Sequence, residues 1–212
     1  MSGQLRIVGG MWKGKTLETP KGREVTRPST DRTRERIASM VLSSFALDLS
    51  GIHILDAFAG SGALGLELLS RGAASCSFVD INRNSAAVVK RNCAALQAQR
   101  MTRVVVGDIW TLIKRGGLWG APFDLVLLDP PYAIAAGQIS QLVEDLDQQG
   151  LLAPSARILY EHEVKTSGLT LPKAMLMKSK KQGITTVDLL IYDVGKTSEA
   201  DDEGRVYERA NY

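Results

Sequence analysis

The sequence predicts an α/β fold built on a mostly parallel, seven-stranded sheet. From Ile52 onward, short β-prone apolar segments alternate with segments whose apolar residues recur at helical spacing. Regular alternation of this kind is typical of parallel strands joined by crossover helices. Near the end, two strand-like segments separated only by Gln182-Gly183 predict a hairpin, which would add one antiparallel strand. At 212 residues and 44% hydrophobic content, the chain can bury one such core.

A small, basic β-hairpin arm is expected over residues 1–30, ahead of the alternating region. Gly9-Gly10, Gly14 and Pro20-Lys21-Gly22 separate short β-prone pieces there. An arm of this size is too small to have its own core.

A helix over residues 31–47 would link the arm to a main domain spanning residues 48–195. Thr30 or Asp31 suits its cap. Its apolar positions recur at three- and four-residue spacing: Ile37, Met40, Val41 and Phe45. In the main domain the strands are expected at 52–56, 75–80, 103–107, 123–129, 156–161, 174–181 and 184–192, and the helices at 62–71, 83–98 and 138–149. The polar, aperiodic residues 196–212 predict a flexible tail.

Composition narrows the class of protein. Residues 1–37 hold nine basic and four acidic residues, a net charge of +5 in a chain of net charge +3. This asymmetry favours a partner that carries phosphates, although a solvated surface gives the same pattern. The two cysteines, Cys76 and Cys93, have no paired spacing, which argues against disulfides and against a metal site. No apolar stretch is long enough to span a membrane, so a soluble cytoplasmic protein is expected.

A glycine-rich loop follows the first strand of the alternating region. Gly60-Ser61-Gly62-Ala63-Leu64-Gly65 fits the pattern G-x-G-x-x-G, and Asp80 ends the next strand about twenty residues later. Glycines let the backbone approach a ligand, and a carboxylate at a strand end can accept hydrogen bonds from ribose hydroxyls. These features predict a nucleoside-containing cofactor, either a dinucleotide or S-adenosylmethionine.

Three acidic residues at successive strand ends favour S-adenosylmethionine over a dinucleotide: Asp56, Asp80 and Asp108. A dinucleotide carries a pyrophosphate, which carboxylates repel. S-adenosylmethionine has none, and its ammonium group, ribose and adenine amine can each use an acidic partner. Each aspartate taken alone is also consistent with a turn or a helix cap.

A second special loop, Asp129-Pro130-Pro131-Tyr132, follows the apolar strand over residues 123–128. The lone pair of a base's exocyclic amine is delocalised into the ring, so methylation requires it to be turned towards the methyl donor. Asp129 and the carbonyl of Pro130 can accept the two N–H groups, and Tyr132 can stack on the base. Alignment of the amine with the methyl group is then the main catalytic device.

The order of these motifs resembles the bacterial RsmD family of S-adenosylmethionine-dependent methyltransferases. Asp56-x-Phe58-x-Gly60-x-Gly62 is paired with Asp129-Pro130-Pro131-Tyr132, and both follow Arg6-Ile7-Val8-Gly9-Gly10-x-Trp12-Lys13-Gly14 and residues 27–35. The resemblance covers roughly residues 5–192. It implies a Rossmann-like class I methyltransferase fold and methyl transfer to the N2 amine of a guanine in small-subunit (16S) ribosomal RNA.

The resemblance also implies roles for individual residues. The glycine loop would hold the methionine half of the cofactor, while the ends of the next two strands would hold the ribose and adenine. The implied cofactor residues are Asp56, Phe58, Gly60, Gly62, Asp80, Ile81, Asp108 and Ile109. The implied catalytic residues are Asp129, Pro130, Pro131 and Tyr132. Residues that would touch RNA, within a small ribosomal subunit or its assembly intermediate, are Lys13, Arg27, Arg32 and Arg34.

Three other functions use parts of the same sequence. A DNA or RNA adenine-N6 methyltransferase shares both loops, but the chain leaves little room for a separate target-recognition domain. An NAD-dependent oxidoreductase fits the glycine loop and leaves Asp129-Pro130-Pro131-Tyr132 unexplained. A non-catalytic RNA-binding assembly factor would have no need of two intact motifs.

Overall fold

The computed structural model describes residues 5–20, 31–116 and 118–193. The strands of its one sheet are β1 (His53–Asp56), β2 (Ser75–Asp80), β3 (Thr102–Val106), β4 (Phe123–Leu128), β5 (Leu152–Glu163), β6 (Ala174–Gln182) and β7 (Thr185–Tyr192). Its α-helices are α1 (Asp31–Ser44), α2 (Ala63–Ser70), α3 (Arg83–Ala95), α4 (Ile109–Arg115) and α5 (Ala136–Gln148). A 3-10 turn, Gln99–Met101, precedes β3.

The strands are ordered β3-β2-β1-β4-β5-β7-β6. The pairs among β1 to β5 are parallel, and β7 lies antiparallel between β5 and β6. This arrangement confirms the predicted seven-stranded, mostly parallel sheet with one antiparallel strand from a late hairpin. Of the described helices, none is long and apolar enough to cross a membrane.

Alternating residues of the strands enter two apolar cores, one on each face of the sheet. On β1, Ile54 packs with α1, α2 and α3, while its neighbour Leu55 packs with α4 and α5. This is the period-two alternation of a strand buried on both faces. Cys76 and Cys93 are buried thiols in the first of these cores.

The amino-terminal arm is a short hairpin that contributes to the first core. Backbone hydrogen bonds join residues 5–7 to residues 14–17, with a bridge between Arg6 and Thr16. Ile7 and Leu17 are buried against the main domain, because a hairpin this small has no interior of its own. The turn of the hairpin packs on the end of α2, where the Met11 amide donates to the carbonyl of Ser70 at 2.8 Å.

The elements differ from the sequence prediction at several ends and in one helix. Helices α1 and α3 end at Ser44 and Ala95, each three residues before the predicted 47 and 98. Strand β5 starts at Leu152, four residues before the predicted 156. Helix α4 was not predicted, since a seven-residue helix with only Ile109 and Ile113 buried gives a very short apolar period. The predicted tail over 196–212 lies outside the described residues.

Candidate active site

The two loops singled out in the sequence meet at the carboxyl edge of the sheet. Strand β1 lies between β2 and β4, so the loops that follow these three strands are neighbours. Ligands of open α/β sheets bind at this edge. The edge carries Asp56 at the end of β1, Asp80 at the end of β2 and Asp129 directly after β4.

Residues 57–62 form a tight turn between β1 and α2. Gly60 and Gly62 have φ angles of 57° and 75°, a region that side chains disfavour. A Cβ on Gly65 would lie 2.5 Å from a ring carbon of Phe78, so this glycine lets α2 pack closely on β2. The three glycines therefore have the conformational and packing roles that a ligand-binding turn requires.

Asp80 joins the glycine loop to the end of β2. Its Oδ2 accepts from the backbone amide of Gly60 at 2.8 Å, and its Oδ1 accepts from the amide of Asn82 at 2.7 Å. Asn82 in turn caps α3 by accepting from the amides of Asn84 and Ser85. Each carboxylate oxygen retains a second lone pair, so Asp80 can hold the loop and still accept from a ribose.

Asp56 is buried beneath the glycine loop among other acidic groups. Burial, together with the nearby charges of Asp129 and Asp80, raises its pKa to about 7, although amides of Gly65 and Phe58 partly oppose the shift. A buried carboxylate with acidic neighbours is stabilised by a cationic ligand. The ammonium of S-adenosylmethionine has the required charge, whereas a pyrophosphate has the opposite one.

The predicted adenine end lies after β3. Asp108 caps α4, with Oδ2 accepting from the amide of Thr111 at 3.0 Å and its hydroxyl at 2.8 Å. The side chain of Ile109 is buried in the core, which leaves its backbone as the part able to face a ligand. Ile81 is 71% exposed beside Asp80, where it offers an apolar surface for a base.

Two residues that the sequence analysis missed extend this region. The rings of Phe58 and Trp110 meet edge to face, with centroids 6.0 Å apart, which joins the glycine loop to the start of α4. Val106, paired in register with Asp80, is 43% exposed at the end of β3. Trp110 stands two residues after Asp108. An aromatic residue so close to a predicted cofactor-binding residue could have indicated from the sequence that Trp110 belongs to the site.

The Asp129-Pro130-Pro131-Tyr132 loop leads into α5. The Pro131 carbonyl accepts from the amide of Ile134 at 2.9 Å and closes the turn. Asp129 is exposed and Tyr132 is 51% exposed, so both lie at the surface of the carboxyl edge. Pro130 is buried and fixes the base of the loop.

A cleft of about 230 Å³ opens beside this loop. Its two sides are residues 130–136 and the end of β5, residues 160–163, with Thr166 nearby. A cleft between the loop and a neighbouring strand end is a natural place for a flat base.

The β5 side of the cleft contains a set of contacts around His162 that the sequence did not indicate. His162 stacks on Tyr160 with ring centroids 4.9 Å apart. Its Nε2 lies 3.1 Å from Oδ2 of Asp188, and Ser179 donates to the other oxygen of Asp188 at 2.6 Å. These contacts link β5, β7 and β6 and fix the wall of the cleft.

The residues predicted to touch RNA have different environments. Arg34 is 2% exposed, and its guanidinium donates to Asp31 at 2.7 Å and to the carbonyl of Arg6 at 2.8 Å. These bonds join the arm to α1 and support a structural role rather than the predicted RNA contact. Lys13 and Arg32 are exposed, but Lys13 lies by the turn at the carboxyl end of α2, opposite to the end that carries the glycine loop. Arg27 lies outside the described residues.

No group of three or more His, Cys, Asp or Glu side chains suited to a metal occurs in the described part of the chain. The candidate site is thus made of carboxylates, glycines, aromatic rings and a proline loop. This set fits an organic cation and a planar base.

Comparison with solved structures places the fold in the class of Rossmann-like methyltransferases. An Escherichia coli protein, yhhF, matches with a TM-score of 0.76 and 33% identity, over 91% of this chain and 99% of that one. The magnesium protoporphyrin IX methyltransferase of Synechocystis, solved with bound S-adenosylmethionine, shares the fold at a TM-score of 0.58 and 15% identity, over 76% of this chain and 79% of that one.

Sequence comparison then gives the family. Residues 5–191 match the family model described as Conserved hypothetical protein 95, and the chain belongs to that family. The ribosomal RNA small subunit methyltransferase D of Escherichia coli is 37% identical over 171 residues, which is 81% of each chain. Its namesake in Haemophilus influenzae is 29% identical over 88% of this chain and 93% of that one. The predicted resemblance to the RsmD family is confirmed.

Proposed function

We propose that the protein transfers a methyl group from S-adenosylmethionine to the exocyclic N2 amine of a guanine in small-subunit ribosomal RNA. The observation that carries this proposal is the position of the Asp129-Pro130-Pro131-Tyr132 loop. It lies next to the glycine loop, because β4 pairs with β1, and it borders a cleft of about 230 Å³. A cofactor loop and a base-gripping loop on neighbouring strands are what methyl transfer to a base amine requires.

The residues at the carboxyl edge fit the cofactor. Asp56 has the burial and acidic surroundings that favour an ammonium partner. Asp80, Ile81 and the amino end of α4 at Asp108 and Ile109 lie in the order that ribose and adenine would need. S-adenosylmethionine, when bound, supplies an electrophilic methyl group on a sulfonium.

The other loop positions the acceptor. Asp129 would accept one N–H of the amine and the carbonyl of Pro130 the other, which turns the nitrogen lone pair towards the methyl group. Both oxygens also stabilise the positive charge that develops on nitrogen. Tyr132, half exposed at the mouth of the cleft, would stack on the base.

The target base must leave its stack to reach this cleft. A paired guanine has its N2 amine in the minor groove with neighbouring bases above and below, where the Asp129-Pro130-Pro131-Tyr132 loop cannot grip it. An unpaired or flipped guanine in ribosomal RNA meets the requirement. The named relatives act on ribosomal RNA of the small subunit, which supports this substrate and a cytoplasmic location.

The test is incubation of the purified protein with radiolabelled S-adenosylmethionine and small ribosomal subunits that lack the modification, followed by nucleoside analysis. Naked small-subunit RNA and adenine-rich DNA serve as parallel substrates. Label in N2-methylguanosine is the expected result. Label in N6-methyladenine would mean that the acceptor is adenine rather than guanine, with the same mechanism of methyl transfer. Absence of label despite cofactor binding would overturn the proposal.

A further inference from the structure

The hairpin formed by β6 and β7 extends to the level of the cleft at the carboxyl edge. Strand β4 ends at Leu128, level with Tyr160 of β5, whereas β5 continues to Glu163. Three further residues of a strand extend about 10 Å. Thr185 of β7 and Gln182 of β6 pair at the level of Glu163, so all three strands project past the loop that begins at Asp129.

The outer strand of this projection is exposed and basic. Residues 175–181 of β6 are all exposed, and three of the last four are lysines: Lys178, Lys180 and Lys181. Lys165 is exposed on the turn after β5, a turn bonded to the hairpin tip through the Val164 amide and the Ile184 carbonyl at 2.9 Å. Among the described residues, no ion pair involves any of these four lysines.

The strand register places the lysines of β6 at the level of the cleft. Lys180 is level with Glu161 and Lys181 with His162, through Val187 and Thr186 of β7. Both β5 residues line the cleft. Two strand spacings separate β6 from β5, so the lysine backbones lie about 10 Å from the cleft wall. Glu161 and His162 lie on opposite faces of β5, so Lys180 shares the face of Glu161 and Lys181 that of His162. The lysines therefore line the outer edge of the sheet on both of its faces.

Exposed lysines on an edge strand can also serve to prevent strands of different molecules from pairing. The positions of the lysines along β6 do not match what protection against strand pairing would require. Its first half, away from the carboxyl edge, exposes Met175, Leu176 and Met177 at 67%, 53% and 42%, and this is the half that most needs protection. The lysines instead cluster in the half nearest the cleft.

We propose that the carboxyl half of β6, with Lys178, Lys180 and Lys181, and the adjoining Lys165 bind the phosphodiester backbone of the RNA that flanks the target nucleotide. This inference rests on the proposed function, since it takes RNA as the substrate. Four exposed cations beside a base-sized cleft have the charge that a polyanion requires, and phosphate contacts fix register without reading sequence. The hairpin would hold the strand while the cleft receives the base.

The experiment compares the wild-type protein with the triple variant Lys178→Gln, Lys180→Gln and Lys181→Gln. Binding to small-subunit ribosomal RNA is measured by fluorescence anisotropy over a range of salt concentrations, and methyl transfer to unmodified small subunits is measured alongside. We expect affinity to fall by roughly tenfold or more at low salt, and the slope of log affinity against log salt to decrease by about 2. Cofactor affinity should stay unchanged.

The matched control removes the same charge far from the hairpin, with Lys90→Gln, Lys114→Gln and Arg115→Gln on the exposed surfaces of α3 and α4. Equal losses in both triple variants would overturn the proposal, because they would report overall charge. An unchanged salt slope in the β6 variant, with new dimers in light scattering, would also overturn it in favour of edge protection. If the wild-type protein labels no RNA, the proposed function fails instead, and that result is distinguishable because it precedes any variant.

Discussion

Oδ2 of Asp80 accepts a 2.8 Å hydrogen bond from the backbone amide of Gly60, so the carboxylate expected to hold a ribose also fixes the glycine loop. Asp80 is 5% exposed, and a backbone amide that loses its partner at a buried site costs about 1–3 kcal/mol. The two functions are therefore coupled in one side chain. Substitution at this position should affect both the shape of the loop and the affinity for the cofactor.

We predict that Asp80→Ala lowers the affinity for S-adenosylmethionine by more than about tenfold, as measured by isothermal titration calorimetry. The matched control is Asp124→Ala. Asp124 also accepts from a backbone amide at 2.8 Å, that of His53, but at the amino end of the sheet. It should cost similar stability and leave cofactor affinity unchanged. Similar affinity losses in the two variants would show that Asp80 acts only through folding.

The raised pKa of Asp56 predicts a pH-dependent stability of the cofactor-free protein. Its pKa rises from an ordinary 3.8 to about 7, because burial and the charges of Asp129 and Asp80 disfavour the ionised form. A group with a raised pKa in the folded state contributes stability that is fully present below its ordinary pKa. That contribution is lost as the pH rises through about 7, by on the order of 1 kcal/mol per pH unit. Thermal unfolding of the wild-type protein should therefore shift to lower temperature between pH 5 and 7, and Asp56→Asn should reduce this shift.

The same carboxyl group should couple cofactor binding to proton release. An ammonium next to Asp56 favours its ionised form, so binding below pH 7 must displace a proton. The affinity for S-adenosylmethionine should rise between pH 5.5 and 7, and the binding heat should depend on the ionisation enthalpy of the buffer. Asp56→Asn should abolish this buffer dependence. If the wild-type protein releases no proton on binding, the ammonium of the cofactor does not lie next to Asp56.

Gly65 and Gly137 offer a matched pair for the packing of α2. A Cβ at Gly65 would lie 2.5 Å from Phe78 and 2.9 Å from the sulfur of Cys76, whereas a Cβ at Gly137 in α5 meets nothing within 4 Å. Gly65→Ala should lower the free energy of unfolding by about 1–3 kcal/mol, because the core must move. Gly137→Ala should raise it by up to about 1 kcal/mol, because alanine favours a helix. Urea unfolding measures both, and destabilisation by Gly137→Ala would contradict the reasoning.

The buried central strands were predictable because they are mostly apolar, whereas the order of the strands was not predictable. Residues 123–128 are apolar at every position except Asp124, which marks a strand buried on both faces. Which strands are neighbours depends on pairing between distant residues. The clustering of Asp56 with Asp80 and Asp129 follows from that strand order. The sequence therefore indicated each aspartate as a candidate site residue, but it did not indicate the raised pKa of Asp56 that their proximity produces.

Arg34, which the family resemblance placed among the RNA contacts, is buried in the structure. It stands three residues before Ile37 and seven before Val41, on the buried face of α1. The helical period therefore already indicated an inward position for this side chain, whereas the resemblance implied an RNA contact. The lysines of β6, which we propose bind RNA, were not among the predicted contacts, because only the strand register shows that they lie at the level of the cleft.

Glu67 should be the main attachment of the arm to the domain. Its carboxylate is fully buried and accepts from the amides of Val8 at 2.7 Å and Gly9 at 2.8 Å, while Arg71 forms an ion pair with it at 2.7 Å. In Glu67→Gln one carboxylate oxygen is replaced by an amide NH₂ group, which would face the N–H group of Val8 or of Gly9 instead of accepting from it. We expect a loss of about 3 kcal/mol in the free energy of unfolding, because a buried pair is broken.

Hydrogen exchange separates this attachment from general destabilisation. The amides of residues 7–12 should exchange faster in Glu67→Gln than the strands of the sheet do, because the arm detaches first. The control is Glu18→Gln, whose ion pair with Arg91 is more than half exposed and should contribute less than about 1 kcal/mol. Uniform acceleration of exchange throughout the molecule would mean that the arm unfolds only together with the sheet.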